Sequence, residues 1–260
     1  MIKTGICSIT FREFDAEGIA KLVKGAGLDA IEWGSDVHVK PGDIAAAGVA
    51  RKATLDAGLE VSSYGSYYRV LDENQDQVFA PYLESTLALG TDTIRIWAGN
   101  QSSELASDDY RKTFIEKLRG DLDVAAEAGV RVALEFHGCT FTDSNAAAQK
   151  LFDEVNHPNL YIYWQPIYWL ADQDYRIQGL EKLKDRVLNL HVFHWLFNPI
   201  AGSWGENIDR RPLEEGTTDW ERYLSVPLPE GTHYALMEFV RDDSPEQFMQ
   251  DAKALRRWVS

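Results

Sequence analysis

A short pattern that occurs four times constrains the fold of this chain more than any other feature. In each copy a helix-forming segment ends on a glycine, and an apolar run rich in β-branched residues begins two or three residues later. Glycine tolerates the left-handed conformation in which helices often end, so each copy predicts a helix followed at once by a strand. The four copies are Ala26-Gly27, Ala57-Gly58, Leu89-Gly90 and Ala128-Gly129.

The spacing of these glycines gives the size of the repeating unit. They lie 31, 32 and 39 residues apart, which suits one strand and one helix, and a chain of this length has room for about eight such units. Alternating strands and helices pair as a parallel sheet with right-handed crossovers. We therefore predict an α/β protein with one (β/α)8 TIM barrel domain over residues 1–260. A doubly wound open sheet is the alternative, but no GxGxxG motif follows the first strand.

The remaining segments fill this count. Short, mostly apolar strands, as expected of strands covered on both faces, are predicted near residues 3–9, 30–33, 60–63, 93–97, 131–136, 160–163, 187–192 and 234–239. Helices are predicted over 15–26, with Asp15 as the N-cap, over 108–128 and 145–155, and from about Ser244 onwards. The irregular stretch from 193 to 231 predicts a lid-like loop with a short helix near 219–224.

Charge and cysteine content narrow the range of partners. With 26 Lys+Arg against 41 Asp+Glu, the formal net charge is −15, and such a surface repels nucleic acids and acidic membranes. No segment approaches the ~20 apolar residues of a membrane helix. Cys7 and Cys139 form no metal or disulfide pattern, which favours buried free thiols in the reducing cytoplasm. We expect a small-molecule partner, and homo-oligomerisation stays open.

Polar residues stand where the predicted strands end. In TIM barrels the chemistry is carried at the carboxyl ends of the strands, and here these ends present Glu32, Tyr64, Arg95 with Trp97, Glu135 with His137, Trp164 with Gln165, His191 with His194, and Glu238. Charged groups that enter a barrel mouth must be paired, hydrated or bound to a metal. Carboxylates and imidazoles that converge from neighbouring strands require a counter-charge, and a divalent cation supplies it.

Several of these residues carry a resemblance to a known family. Ile31-Glu32-Trp33 through Asp36-Val37-His38, Leu134-Glu135-Phe136-His137, Asn189-Leu190-His191 and Met237-Glu238 resemble the sugar phosphate isomerase/epimerase family, which has xylose-isomerase-like barrels and includes ketose 3-epimerases. The resemblance implies one divalent ion, often Mn²⁺, with Mg²⁺, Co²⁺, Fe²⁺ and Zn²⁺ as alternatives. The family holds it with Glu, Asp, His and Glu from the last four strands. Carried over, the first, third and fourth ligands are Glu135, His191 and Glu238.

Two positions depart from the family pattern. Gln165 stands where the family has an aspartate, and His191-Val192-Phe193-His194 replaces the usual His-x-Lys-Asp. A glutamine carbonyl binds a hard cation but removes one negative charge from the ligand set. Gln165 is therefore predicted either as a metal ligand or as a hydrogen-bond partner of a substrate hydroxyl.

Catalytic and substrate-binding roles follow, each beside a structural alternative. Glu135 and Glu238 are predicted as metal ligands and as the acid and base, and structural carboxylates paired with arginines are the alternative. His191 taken alone would be a core histidine, but beside the two glutamates it is predicted as a ligand. The predicted substrate contacts are Glu32, His38, Tyr64, Arg95, Trp97, His137, Trp164, His194 and Arg241.

Some of these predicted contacts have equally good structural interpretations. The tryptophans suit sugar stacking or a plain core. Arg95 and Arg241 suit a substrate anion or the neutralisation of Glu32 and Asp242. His38 suits a substrate contact or a solvated loop.

Three functions fit this set. The first is a metal-dependent isomerase or epimerase that moves a proton next to the carbonyl of a ketose, keto-glycoside or related sugar. The second is a sugar or inosose dehydratase or lyase, because an enolate beside a carbonyl expels a β-hydroxyl from the same site. The third is a sugar-binding barrel that has lost its metal and does not turn over. No cofactor other than the metal is predicted.

Overall fold

Eight parallel strands close into a barrel in the computed structural model, which describes residues 1–72, 78–170, 172–198 and 207–260. In chain order they are β1 (Ile2–Cys7), β2 (Ala30–Gly34), β3 (Glu60–Arg69), β4 (Thr93–Trp97), β5 (Arg131–Glu135), β6 (Leu160–Trp164), β7 (Val187–Val192) and, after a short hairpin, β10 (His233–Met237). Around the barrel they follow the order β1-β10-β7-β6-β5-β4-β3-β2, with parallel pairing throughout. The predicted (β/α)8 TIM barrel is confirmed.

Helices surround the barrel, and those over 16–26, 108–127, 145–155 and 245–258 match the predicted segments to within a residue or two. They are α1 (Ala16–Ala26), α2 (Ile44–Asp56), α3 (Ala80–Leu89), α4 (Asp108–Glu127), α5 (Asn145–Val155), α6 (Gln173–Leu183), α7 (Thr217–Leu224) and α8 (Pro245–Trp258). The Asp15 carboxylate accepts the Gly18 N–H at the start of α1. The four repeat glycines have φ between 69° and 73°, the left-handed conformation that few other residues adopt without strain.

Alternation along each strand divides the side chains between two cores. Successive strand residues point to opposite faces, so one set fills the barrel and the other packs beneath the helices. Glu32 and Ser63 point inward and bond each other, with 2.9 Å between the Ser63 hydroxyl and the Glu32 carboxylate. The next residue on β2, Trp33, points outward and donates its indole N–H to Thr54 of α2.

Two regions differ from the predicted boundaries. Strand β3 continues to Arg69 rather than ending at 63, and this extension brings Gly65 and Tyr67 onto the inner face. In the stretch from 193 to 231, strands β8 (Trp195–Phe197) and β9 (Ile208–Arg210) form an antiparallel hairpin before α7. Residues 199–206 of the predicted loop lie outside the described residues, and its role as a lid stays a prediction. Among the described helices, none combines the length and the apolar character needed to cross a membrane.

Candidate active site

A cavity of about 260 Å³ opens at the carboxyl ends of the barrel strands. Its wall includes six residues that the sequence singled out, namely Arg95, Trp97, Glu135, His137, Gln165 and Glu238. Glu32 and His191 do not reach the cavity; they are buried behind it, and both contact residues of its wall. Larger grooves on the outer helices contain none of these residues.

Four potential metal ligands meet at Nδ1 of His191. This atom lies 3.1 Å from Oε1 of Gln165, 3.7 Å from Oε2 of Glu238 and 3.8 Å from Oε1 of Glu135. The amide nitrogen of Gln165 donates to the Phe136 carbonyl at 2.5 Å, so its oxygen must face the histidine. Ligands around a cation with bonds of 2.0–2.2 Å stand about 3–4 Å apart, and the three distances from Nδ1 fall in that range. Among the described residues, the group whose ligand atoms all lie within 4.8 Å of one another is Cys7, His191 and Glu238, and Glu135 lies outside it.

Arg95 is the buried cation of the site. One terminal nitrogen, Nη1, lies 2.7 Å from Oε2 of Glu135 and 3.1 Å from the Ser66 carbonyl oxygen, while Nη2 lies 3.4 Å from Oε1 of Glu32. Burial lowers the pKa of this guanidinium, but the carboxylates outweigh burial and raise it, so Arg95 stays charged. Of the two interpretations that the sequence left open for Arg95, the structure favours the neutralisation of carboxylates over a clamp for substrate.

The buried carboxylates are held in different protonation states. Burial raises the pKa of Glu238 to about 7; the charge of Glu135 adds to this rise, although His191 opposes it. Burial also raises the pKa of Glu32, but the positive charge of Arg95 and the contact with His191 bring it well below the usual range. His191 has its pKa lowered by burial and raised more strongly by Glu238 and Glu32.

The donor set fits a divalent cation. With a cation bound, Glu238 is ionised and His191 is neutral, so the three glutamates bring three negative charges, Arg95 brings one positive charge, and two negative charges are left for the cation to balance. Two carboxylate oxygens, an amide oxygen and an imidazole nitrogen are ligands that Mn²⁺, Mg²⁺ and Zn²⁺ accept. Cys7 also approaches this centre, since its sulfur and one ligand atom each of His191 and Glu238 lie within 4.8 Å of one another.

Aromatic side chains form the rest of the wall. Trp97 and His137 stack at 4.2 Å between ring centroids, and Trp195 comes from the first strand of the hairpin. Sequence reasoning did not assign five of the lining residues, namely Ile9, Arg12, Tyr67, Tyr168 and Phe239. All five follow a strand or continue its inward face. A search that included the few residues after each predicted strand, as well as the strand ends themselves, would therefore have found them.

Two predicted substrate contacts point away from the cavity because of strand alternation. Tyr64 neighbours the inward-facing Ser63, so it points outward and donates its hydroxyl to the Val39 carbonyl. Trp164 follows the inward-facing Tyr163 and packs against Tyr223 of α7 at 5.1 Å between ring centroids. Both side chains pack in the core between the barrel and the helices. The prediction that they contact a substrate in the barrel is therefore wrong.

Three further predicted contacts lie in loops outside the cavity wall. His38 is held by the Ser8 hydroxyl and the Phe14 carbonyl, each at 3.0 Å from a ring nitrogen. His194 is half-buried beside Gly216. Arg241 donates to Gln247 at 3.0 Å and lies 3.5 Å from Asp242, which matches its alternative interpretation as a partner of that aspartate.

Fold and site together define the class of protein. The chain belongs to the xylose isomerase-like TIM barrel family, whose model matches residues 20–258. A curated relative is the 3-dehydroshikimate dehydratase of Bacillus anthracis, which is 22% identical over 275 aligned residues that cover 98% of this chain and 96% of the relative.

Solved structures share the same fold. The probable 3-DHS dehydratase AsbF, involved in petrobactin synthesis in Bacillus anthracis, aligns with a TM-score of 0.80 and 19% identity over 98% of this chain and 99% of that chain. The 3-keto-D-glucoside 4-epimerase YcjR from E. coli aligns with a TM-score of 0.70 and 18% identity over 99% of each chain.

Two further neighbours hold a divalent metal. The IOLI protein, solved with a zinc atom, aligns with a TM-score of 0.74 and 15% identity over 99% of this chain and 98% of that chain. A xylose isomerase-like TIM barrel protein from Mycobacterium smegmatis, solved in complex with magnesium, has a TM-score of 0.69 and 14% identity over the same shares of the two chains. At these identities the likeness establishes the fold, and the family includes both dehydratases and epimerases.

Proposed function

We propose that this protein is a divalent-metal-dependent dehydratase that removes a proton next to a carbonyl and expels a β-hydroxyl group as water. The observation that carries this proposal is the unequal environment of the two cavity glutamates. Arg95 bonds Glu135 directly, whereas Glu238 has no arginine partner in the described part of the chain.

This asymmetry bears on the choice between elimination and epimerisation. Epimerisation needs a base on one face of the substrate and an acid on the other. Glu135 is held by a buried ion pair to Arg95, and protonating it would leave that guanidinium without one of its two carboxylate partners. Glu238 makes no ion pair with an arginine in the described part of the chain, and in the metal-free site burial raises its pKa to about 7, so it is the glutamate suited to accept and release the proton. One exchanging carboxyl group suffices for elimination on a single face.

In the proposed steps Glu238 takes one proton from the substrate and later returns it. Its carboxylate takes the proton from the carbon next to the substrate carbonyl, and the electron pair moves to the carbonyl oxygen. The resulting enolate re-forms the carbonyl, a double bond forms between the two carbons, and the bond to the β-hydroxyl breaks. The hydroxyl takes the proton from Glu238 and leaves as water, which returns Glu238 to the carboxylate.

A divalent cation held by Glu135, Gln165, His191 and Glu238 would polarise the carbonyl and stabilise the enolate charge. The aromatic wall around Trp97 and His137 limits the access of bulk water to that charge. The metal-bearing neighbours and the two negative charges left on the site support a divalent cation as the cofactor.

The chain is similar to a 3-dehydroshikimate dehydratase over nearly its whole length, which favours elimination. 3-Dehydroshikimate is therefore the first substrate to test. 3-Dehydroshikimate is a cyclic hydroxyketone, which is the kind of substrate that these steps require. Epimerisation of a ketose or keto-glycoside, predicted first from the sequence, stays the second candidate. The position of His137 in the cavity wall favours it, because an imidazole there supplies a second proton donor.

Product analysis decides between the two. The purified protein loaded with Mn²⁺ is incubated with 3-dehydroshikimate and, separately, with a panel of ketoses, and products are weighed by mass spectrometry. We expect a product lighter by one water from the hydroxyketone, with turnover reduced about 10²- to 10⁴-fold in Glu238→Gln. Glu246→Gln, an exposed carboxylate at the start of α8, is the matched control. A product of unchanged mass from a ketose would favour the epimerase instead, and turnover retained by Glu238→Gln would overturn the role of Glu238.

A further inference from the structure

A chain of buried polar side chains lies beneath the candidate metal site. The Asn189 side-chain amide donates to the Tyr163 hydroxyl at 2.6 Å, and that hydroxyl donates to Ser63 at 2.5 Å. The Ser63 hydroxyl donates to Oε2 of Glu32 at 2.9 Å. All four side chains are at most 3% exposed, and they come from β7, β6, β3 and β2.

The chain returns to β7 at His191. Oε1 of Glu32 lies 3.4 Å from Nε2 of His191, two residues along the same strand from Asn189. Nε2 is fully buried, and among the described residues no acceptor meets it with good hydrogen-bond alignment. A buried N–H without an acceptor costs about 1–3 kcal/mol, so the facing carboxylate of Glu32 is the partner that the site offers.

The backbone makes room for this carboxylate. Gly65 on the inner face of β3 lies against the Glu32 side chain, and a Cβ atom there would overlap Oε1 and Cδ of Glu32. Ser63 therefore holds Oε2 and Arg95 holds Oε1 of Glu32, in the space that glycine at position 65 leaves free.

We propose that Glu32 is a positioning residue that holds His191 in the orientation and tautomer required of a metal ligand. A neutral imidazole has one N–H donor and one lone pair. In the metal-free site Nδ1 lies 3.1 Å from Oε1 of Gln165, which can only accept, so the proton stands at Nδ1. A cation that binds Nδ1 requires the lone pair there, and the N–H then stands at Nε2 and faces Glu32 at 3.4 Å. A carboxylate behind a ligating histidine also makes the imidazole a stronger donor to the metal. This inference rests on the metal site of the proposed function.

A purely structural role does not explain why so many polar side chains are buried behind the candidate ligands. Buried ionic and polar groups seldom stabilise a fold more than apolar residues of the same volume would. Here six buried polar side chains from five strands, Asn189, Tyr163, Ser63, Glu32, Arg95 and His191, meet directly behind the candidate ligands. The free-energy cost of burying these groups is explained if the network orients His191 as a metal ligand.

Metal affinity tests the proposal without measuring turnover. The dissociation constant for Zn²⁺ is measured by competition with a chelator in the wild type, Glu32→Gln and Tyr163→Phe. We expect Glu32→Gln to weaken binding about 10- to 100-fold. Tyr163→Phe, which breaks the chain two bonds further from His191, should weaken it less. The control is Tyr68→Phe, which removes an equally buried hydroxyl that bonds Asp121 outside the chain; its affinity should equal that of the wild type.

The outcomes separate positioning from a general loss of structure. Long-range proton–nitrogen NMR spectra of the zinc-loaded wild type should show zinc at Nδ1 and hydrogen at Nε2 of His191. Wild-type affinity in folded Glu32→Gln, or an equal loss in Tyr163→Phe and Tyr68→Phe, would overturn the proposal, as would zinc at Nε2.

A second measurement separates this inference from the proposed function. If the wild type binds no Zn²⁺, the metal-dependent chemistry fails, and the orientation of His191 is read from crystal structures of the metal-free wild type and Glu32→Gln. A rotated His191 ring in the variant supports the positioning role of Glu32 by itself. An unchanged ring contradicts that role, whether or not the protein is a dehydratase.

Discussion

Glu135 and Glu238 have identical side chains, and their surroundings give them different roles. The guanidinium of Arg95 bonds Glu135 at 2.7 Å, which fixes the position of that carboxylate. Glu238, directly after β10, makes no ion pair with an arginine among the described residues, and burial raises its pKa to about 7. A pair of titratable groups with such different environments is typical of acid–base sites.

Metal affinity should therefore depend on pH. The pKa of Glu238 lies above its usual value of 4.5, so the metal-free fold is stabilised by this proton at acidic pH and loses that stabilisation as the pH rises through about 7. A cation must displace the proton, and His191, whose pKa is also raised, adds a dependence in the same direction. Titrations with Mn²⁺ between about pH 5 and about pH 9 should show affinity rising to about pH 7 and then levelling off. Affinity that is constant over this range would contradict the protonation assigned to Glu238.

Removing Arg95 should destabilise the fold unless metal is present. Arg95→Met leaves Glu32 and Glu135 buried without their cation, and breaking such a pair costs about 3–5 kcal/mol. Urea unfolding of the variant is expected to show this loss in chelator and a smaller loss with Mn²⁺, which replaces part of the missing charge. Arg131→Met, which breaks an exposed pair with Asp92, is the control and should change stability by less than about 1 kcal/mol. Equal losses in the two variants would contradict the role given to Arg95.

At the scale of single residues, the sequence predicted the inward-facing charged groups better than the aromatic ones. Glu135, Gln165, His191 and Glu238 meet because each stands within one residue of the carboxyl end of its strand. Trp164 fails because one residue along a strand reverses the face of the side chain. The network from Asn189 to Glu32 was beyond sequence reasoning, since its members are hydroxyl, amide and carboxylate groups from strands far apart in the chain.

At the scale of elements, two close approaches of the chain depend on glycine. A Cβ at Gly5 of β1 would lie 2.5 Å from the Ala30 carbonyl of β2, and one at Gly65 of β3 would overlap the Glu32 carboxylate. These contacts explain why β1 and β3 carry glycine within otherwise well-filled strands.

Alanine substitutions should separate these glycines from those in exposed helices. Gly5→Ala and Gly65→Ala should each lower the free energy of unfolding by about 1–3 kcal/mol. Gly120→Ala, within α4 and with no heavy atom within 4 Å of the added methyl, should raise it by about 0.5–1 kcal/mol. Urea denaturation checks all three, and Gly5→Ala as stable as the wild type would contradict the close packing of β1 against β2.

Most element boundaries followed from the sequence because helix ends carry local signals. Asp15 and the four repeat glycines act within a few residues of themselves, and the structure places the caps where they predict. The length of β3 did not follow, because Tyr64 to Arg69 is polar and aromatic and has no apolar run. Its strand conformation depends on pairing with β2 and β4, which no local pattern records.

At the scale of the whole molecule, the barrel was predictable from period and order, and the reaction was not. Any member of this family brings the ends of its strands together, so the candidate ligands were expected to converge. The proposed choice between elimination and epimerisation depends on where the Arg95 guanidinium lies relative to Glu135 and Glu238. The sequence does not give these distances, and the structure does.

Metal should stabilise the entire domain. A cation that binds the folded chain at about 100 times its dissociation constant adds about 2.7 kcal/mol, which corresponds to a rise in Tm of about 5–10 °C for a domain of this size. Thermal unfolding with excess Mn²⁺ and with chelator should show this difference, and Glu135→Gln should reduce it. A Tm that does not respond to either addition would argue against a metal in the barrel.

Anomalous diffraction from a crystal grown with Mn²⁺ shows whether the barrel holds a metal at these four side chains. We predict one strong anomalous peak in the barrel, bonded to Glu135, Gln165, His191 and Glu238, with Glu32 hydrogen-bonded to Nε2 of His191. No peak at this position, with Arg95 still bonded to Glu135 and the four side chains unmoved, would contradict it.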